Sequence, residues 1–189
     1  MSILVFDTET SGLPPRGVSP KFELAWDRCR LVQIAWELYD DAGKLQQAAS
    51  YMVKPQGFTI PDEAIAIHGI SNEEATASGE DINTIFAALS ALLPYVKVIV
   101  AHNIEFDRNV LASEMHRMRS FDLFQRWMAK DTFCTMLKGA EPKKRWPKLA
   151  DLYAKLFGKL PDARLHRADS DARVCAAIYF KLLEVEKQP

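Results

Sequence analysis

The chain has 189 residues, 48% of them hydrophobic and 26% charged, which is ordinary for a globular protein and enough to bury a sizeable core as one domain, residues 1–189. No run reaches the length of apolar sequence needed to span a membrane, the N-terminus lacks the basic segment and cleavage site of a signal peptide, and a cytoplasmic setting is expected. Cys29, Cys134 and Cys175 are odd in number and form no C-x-x-C pair, which fits the same reducing setting. A formal net charge of −1 disfavours nucleic-acid binding by bulk electrostatics, but two divalent cations would make the loaded protein positive, so a polyanionic substrate stays open.

In chain order, Ile3-Leu4-Val5-Phe6 reads as a first strand that delivers Asp7 and Glu9 to a turn. Alternation puts both acids on one face, where they repel and favour a shared proton or a cation. An isolated D-x-E is also the pattern of two solvated acids at a fraying strand end, the ordinary reading of that pair on its own. From Ser11 to Arg30 the sequence carries turn residues and no sustained period, so a loop with one helical turn is expected, placed as a wall beside the acids. Leu31 to Tyr39 and Leu45 to Val53 read as two strands joined by a hairpin at Asp40-Asp41-Ala42-Gly43, giving a three-stranded meander.

Ser71 and Glu74 have capping-box spacing, and Ile82, Ile85, Phe86, Leu89 and Leu92 recur at helical spacing until Pro94. Val96 to Ala101 reads as a strand covered on both faces, followed after His102-Asn103 by a helix with the stripe Leu111, Met115, Met118. Within Phe121 to Thr135, Asp131-Thr132-Phe133 is expected as a short edge strand. Lys138, Lys143, Lys144, Arg145 and Lys148 cluster around Trp146, either as a phosphate-tracking surface with a stacking face or as a solvated loop. A helix from Leu149 ends at Gly158, and a last one runs from about Ala168 to Lys187.

Stepping four residues back from Leu111 lands on Asp107, and Asp171 lies three before Val174, so both acids face inward in the first turns of their helices. A first-turn aspartate is ordinary at a helix N-terminus. Four inward carboxylates, Asp7, Glu9, Asp107 and Asp171, without a matching basic stripe point instead to divalent metal, and the lack of Cys or paired His ligands favours Mg²⁺ or Mn²⁺ over zinc. His166, five residues before Asp171, has the basicity of a general base, with an unperturbed pKa of about 6.5. His68, His102 and His116 are weaker candidates for that role.

The motifs Phe6-Asp7-Thr8-Glu9-Thr10, His102-Asn103-Ile104-Glu105-Phe106-Asp107 and His166-Arg167-Ala168-Asp169-Ser170-Asp171-Ala172 resemble, in order, those of the DEDDh (DnaQ-like) 3′-to-5′ exonuclease family. That family includes the proofreading subunit of DNA polymerase III and the three-prime repair exonucleases. The resemblance implies an α/β, ribonuclease-H-like fold with a mixed five-stranded sheet and helices on both faces. It implies metal ligation by Asp7, Glu9, Asp107 and Asp171, two Mg²⁺ ions replaceable by Mn²⁺, and catalysis by these acids with His166 as base. By position, Thr8, Leu13, Ile67, His68, Asn103 and Phe106 match residues that grip the terminal nucleotide, Leu13, Ile67 and Phe106 being also compatible with plain packing. The expected activity is two-metal hydrolysis of a nucleic acid with a free 3′ end, DNA favoured over RNA, releasing 5′-mononucleotides. An exoribonuclease of the same family and a catalytically silent nucleic-acid-binding module are the alternatives. The sequence ends at Pro189, soon after the last helix, so a stand-alone exonuclease is expected rather than a polymerase subunit.

Overall fold

A computed structural model describes residues 2–141 and 145–186. The first half of the chain forms β1 (Ser2–Thr10), a 3-10 turn (Glu23–Trp26), β2 (Leu31–Tyr39), β3 (Leu45–Met52), α1 (Asp62–His68), α2 (Asn72–Ser78) and α3 (Ile82–Leu92). A 3-10 turn (Leu93–Tyr95) leads into β4 (Val96–Ala101), α4 (Ile104–Arg117), α5 (Phe121–Met128), β5 (Asp131–Cys134), α6 (Thr135–Lys138), α7 (Leu149–Phe157) and α8 (Ala168–Glu186). The sheet order is β3-β2-β1-β4-β5. β1 to β3 run antiparallel, while β4 and β5 lie parallel to β1, giving the mixed five-stranded α/β sheet of the ribonuclease-H-like fold. No helix among the described residues is long and apolar enough to cross a membrane.

The two faces of β1 are covered by different helices, and this separation organises the site. Leu4 and Phe6 join the main core with Leu111 and Trp127, Phe6 meeting Trp127 edge-on at 5.1 Å between ring centres. Val5 instead packs with Val100, Cys175 and Tyr179 on the α8 side. Local chemistry ends the elements as expected: Asp40 Oδ1 accepts from the Ala42 and Lys44 N–H groups in the hairpin, and Ser71 Oγ accepts from Glu74 N at 3.1 Å. Gly158, at φ 74°, closes α7 in the left-handed conformation.

Four expectations need correction or limits. The segment after Phe121 is not only an edge strand: Leu123, Phe124 and Trp127 are buried on one side of α5. α1 and α6 are further helices that the hydrophobic periodicity does not announce. β4 is not covered on both faces throughout, since Lys97 is exposed near its start. Lys143, Lys144 and Lys187 lie outside the described residues.

Candidate active site

Asp7 and Glu9 extend from the α8 face of β1, and Asp171 meets them from the first turn of α8. One carboxylate oxygen from each of these three residues lies within 4.8 Å of the others. Asp107 arrives from the opposite face, on the first turns of α4, and is 3% exposed. Its Oδ1 accepts from the Thr8 N–H at 3.0 Å and from the Thr8 hydroxyl at 2.7 Å, so the residue between the two strand acids fixes the fourth acid. The strand end thus presents carboxylates from both of its faces to one opening.

His166 holds Asp171 through its backbone, its N–H donating to Asp171 Oδ2 at 3.1 Å. His166 has φ 66° and an exposed side chain, a left-handed conformation that is costly for a residue with a Cβ. The other oxygen, Asp171 Oδ1, is buried with no hydrogen-bond partner among the described residues. A residue without any motif signal steadies this end of α8: Gln33, opposite Glu9 in the β1–β2 register, accepts from Ala168 N at 3.1 Å through Oε1. Its Nε2 donates to Ser50 Oγ at 3.1 Å, leaving no freedom for the amide to turn.

Burial and mutual repulsion make these acids reluctant to ionise. Burial raises Glu9 to about 8, with the charges of Asp171 and Asp107 adding to it and Arg167 opposing. Asp107 is raised to about 7 by burial against the lowering effect of the Thr8 hydrogen bonds. Asp171 rises to about 6 by burial, opposed by the His166 N–H and the His166 charge. Asp7 is pushed well above the carboxylate range by burial and then by Asp107, Asp171 and Glu9. Clustered oxygen ligands, an unpartnered buried carboxylate oxygen and this repulsion together fit hard divalent cations. Asp7, Glu9 and Asp171 are the residues placed to hold one.

A cavity of about 1040 Å³ opens over the cluster. It is lined by all four acids and His166, and also by Thr8, Leu13, Ile67, His68 and Phe106. Leu13 and Ile67 are 83% and 60% exposed, which removes the plain packing account for both and leaves two apolar side chains standing at the rim. His68 is buried, and its Nδ1 accepts from Ile70 N at 3.1 Å, so the proton sits on Nε2. That Nε2 has no partner among the described residues. Asn103 is the exception: it adopts φ 71° immediately before α4 and lines two neighbouring clefts rather than this cavity.

The loop between β1 and β2 supplies one wall, with Asp27 and Arg28 beside Leu13. Its base is closed by Ser11 N–H to the Arg30 carbonyl and by Arg30 N–H to Ser11 Oγ, both at 2.9 Å. Gly12 is required by close approach, because a Cβ there would meet the Arg28 carbonyl oxygen at 2.5 Å. Arg30 forms a two-point ion pair with Glu114 of α4, Nε to Oε1 at 2.7 Å and a terminal nitrogen to Oε2 at 3.2 Å. Another wall comes from α1, which carries Ala64, Ile67 and His68. Acids in its first turn, His68 in its last and Gly69 after it were the available sequence signals.

This fold recurs in known proteins. The model of the exonuclease family RNase_T matches residues 4–179. No curated protein sequence matches the chain. The fold is similar to Escherichia coli exonuclease I solved with a dT13 oligonucleotide carrying a 5cy label, at TM-score 0.72 and 22% identity, covering 98% of this chain and 41% of that one. It is similar to exonuclease I from Methylocaldum szegediense at TM-score 0.73 and 23% identity, covering 100% and 41%. Exonuclease X, solved with 5′-overhanging duplex DNA, matches at TM-score 0.65 and 26% identity over 99% of this chain and 94% of its own. The chain therefore spans about two fifths of the exonuclease I chains and nearly all of exonuclease X. With a family match running from β1 into α8 over the motifs that build the acid cluster, the chain belongs to the RNase_T exonuclease family, of DEDDh type.

Proposed function

We propose that this chain is a single-domain 3′-to-5′ exonuclease that hydrolyses the terminal phosphodiester of DNA and releases 5′-mononucleotides. The observation that carries this reading is the convergence of Asp7, Glu9 and Asp171 within 4.8 Å, with Asp107 and His166 in the same cavity. Asp7, Glu9 and Asp171 would hold one divalent ion, and Asp7 with Asp107 would serve a second, Mg²⁺ in the first instance and Mn²⁺ as its substitute. Such a pair of ions supplies Lewis-acid activation of water and neutralises charge at the phosphate. His166, exposed at the mouth, accepts the proton of the attacking water. Leu13, Ile67 and Phe106 offer apolar contacts to the terminal nucleotide, and His68 Nε2–H donates to one of its oxygens. DNA is favoured over RNA because exonuclease X, similar over nearly its whole length, is recorded with DNA.

The test offers linear single-stranded DNA, duplex DNA, RNA and circular single-stranded DNA, each labelled, with Mg²⁺ and with excess chelator. Mononucleotides released from the 3′ end of linear DNA only when metal is present are the expected result. Cleavage of the circle, or activity surviving chelation, contradicts the reading, and faster loss of RNA than DNA reassigns the substrate.

A further inference from the structure

Beside the acid cavity lies a second cleft of about 600 Å³ with a different character. It is lined by His102, Asn103, Met136, Arg145, Trp146, Pro147 and Lys148, a set without a carboxylate. The two openings adjoin at His102, which lines both. Of the four tryptophans, Trp26, Trp36 and Trp127 are 2%, 1% and 0% exposed, whereas Trp146 is 62% exposed. Arg145 and Lys148, on either side of it in sequence, are exposed as well.

The segment is held in place by the histidine. The Pro147 carbonyl can only accept, so His102 Nε2–H donates to it at 3.0 Å, which leaves Nδ1 to accept from the Thr135 hydroxyl at 2.9 Å. Pro147 restricts the backbone of Trp146 to extended conformations, so less backbone freedom is lost when the indole is engaged. An indole face between two cations, next to a site that acts on strand ends, matches the alternating base and phosphate of unpaired nucleic acid.

We infer that Arg145, Trp146 and Lys148, positioned by His102, form a strand-binding step that takes the unpaired stretch of nucleic acid whose 3′ end enters the acid cavity. A base stacks on Trp146 while Arg145 and Lys148 meet the flanking phosphates. The inference rests on the exonuclease reading for the identity of the occupant, and assigns this protein a preference for ends with several unpaired nucleotides.

The other tryptophans are buried, so the part of the intrinsic fluorescence that a bound strand can quench by contact is that of Trp146. Phosphorothioate-linked dT8 in Mg²⁺ should quench it saturably, and thymidine 5′-monophosphate should not. Trp146→Ala should raise the Kd for the octamer about fivefold or more, the lower end of what one base stack contributes. Arg145→Ala with Lys148→Ala should flatten the dependence of log Kd on log salt by about 1.4, at roughly 0.7 per phosphate contact on a single strand. His102→Ala should weaken octamer binding in the same direction as Trp146→Ala, and a double variant should add little. Unchanged quenching and affinity, in a parent protein that degrades linear DNA with Mg²⁺, overturns the strand-binding step and leaves the exonuclease reading standing. A parent that neither binds the octamer nor releases nucleotides fails the exonuclease reading itself.

Discussion

At His166 the backbone and the side chain have separate duties. The backbone N–H fixes Asp171, and the imidazole stands free at the mouth of the cavity. His166→Ala deletes only the second, so turnover should fall by roughly 10²–10⁴-fold with metal affinity retained. Asp171→Ala removes an oxygen ligand and should weaken metal binding along with the rate. Calorimetric metal titration beside single-turnover rates separates the two, and equal loss of metal binding in both variants would mean His166 is a ligand or a prop. Thr8 offers a second test at this scale. Its hydroxyl, 2.7 Å from Asp107, can be removed by Thr8→Val while the N–H bond at 3.0 Å remains. A hydrogen bond to a charged group contributes about 1.5–3 kcal/mol, so Asp107 should become harder to ionise and the Mg²⁺ needed for half-maximal rate should rise. An unaltered Mg²⁺ response in Thr8→Val would show that Asp107 is positioned by the backbone alone.

Among the elements, the loop from Ser11 to Arg30 is closed by its own hydrogen bonds and tied at its end to a distant residue. Glu114 is 1% exposed and accepts from both Arg30 and the Leu31 N–H, the latter at 3.1 Å. Glu114→Ala leaves the Arg30 guanidinium buried without its partner, and such a break costs about 3–5 kcal/mol. Urea unfolding should register that loss, and a change below about 1 kcal/mol would show that Arg30 re-pairs or reaches water. This pairing also explains what was illegible in the sequence. Asp107 and Asp171 could be placed inward because each sits on an apolar stripe of its own helix, and Asp7 with Glu9 because a strand alternates. The shape of the loop is set by a residue on α4, which no local period records. Gln33 was hidden for a related reason: a polar residue in a strand reads as outward, yet it is 3% exposed and bonded to the start of α8. α5 was missed although Leu123, Phe124 and Trp127 stand at helical spacing, whereas α1 is too short for a period and had only its end signals.

For the molecule as a whole, the acid cluster opposes folding until something neutralises it. In the unfolded chain the carboxylates titrate near 4, while in the fold Asp171, Asp107 and Glu9 are raised to about 6, 7 and 8. Between those limits the metal-free native state binds more protons than the unfolded state. Linkage then makes stability fall as pH rises, since the slope follows the protons bound by the unfolded state minus those bound by the native state. The contribution is fully present below about pH 4 and is lost as pH climbs through the folded values, so metal-free protein should melt at progressively lower temperature from about pH 5 to pH 8, other groups held aside. Divalent metal reverses this, because ions that bind the native cluster raise stability by mass action and bind better as the carboxylates lose protons. With saturating Mg²⁺ or Mn²⁺ the decline should flatten, and the melting shift produced by metal should grow with pH. Asp7→Asn supplies the control: it takes one charge from the centre of the cluster, so its metal-free form should melt above the parent at pH 8, and its response to metal should shrink. Melting curves for both proteins at several pH values, with chelator and with metal, measure all of these together. A parent whose metal-free stability rises steadily from pH 5 to pH 8, or an Asp7→Asn variant with an undiminished metal shift, would place the ions away from this strand end.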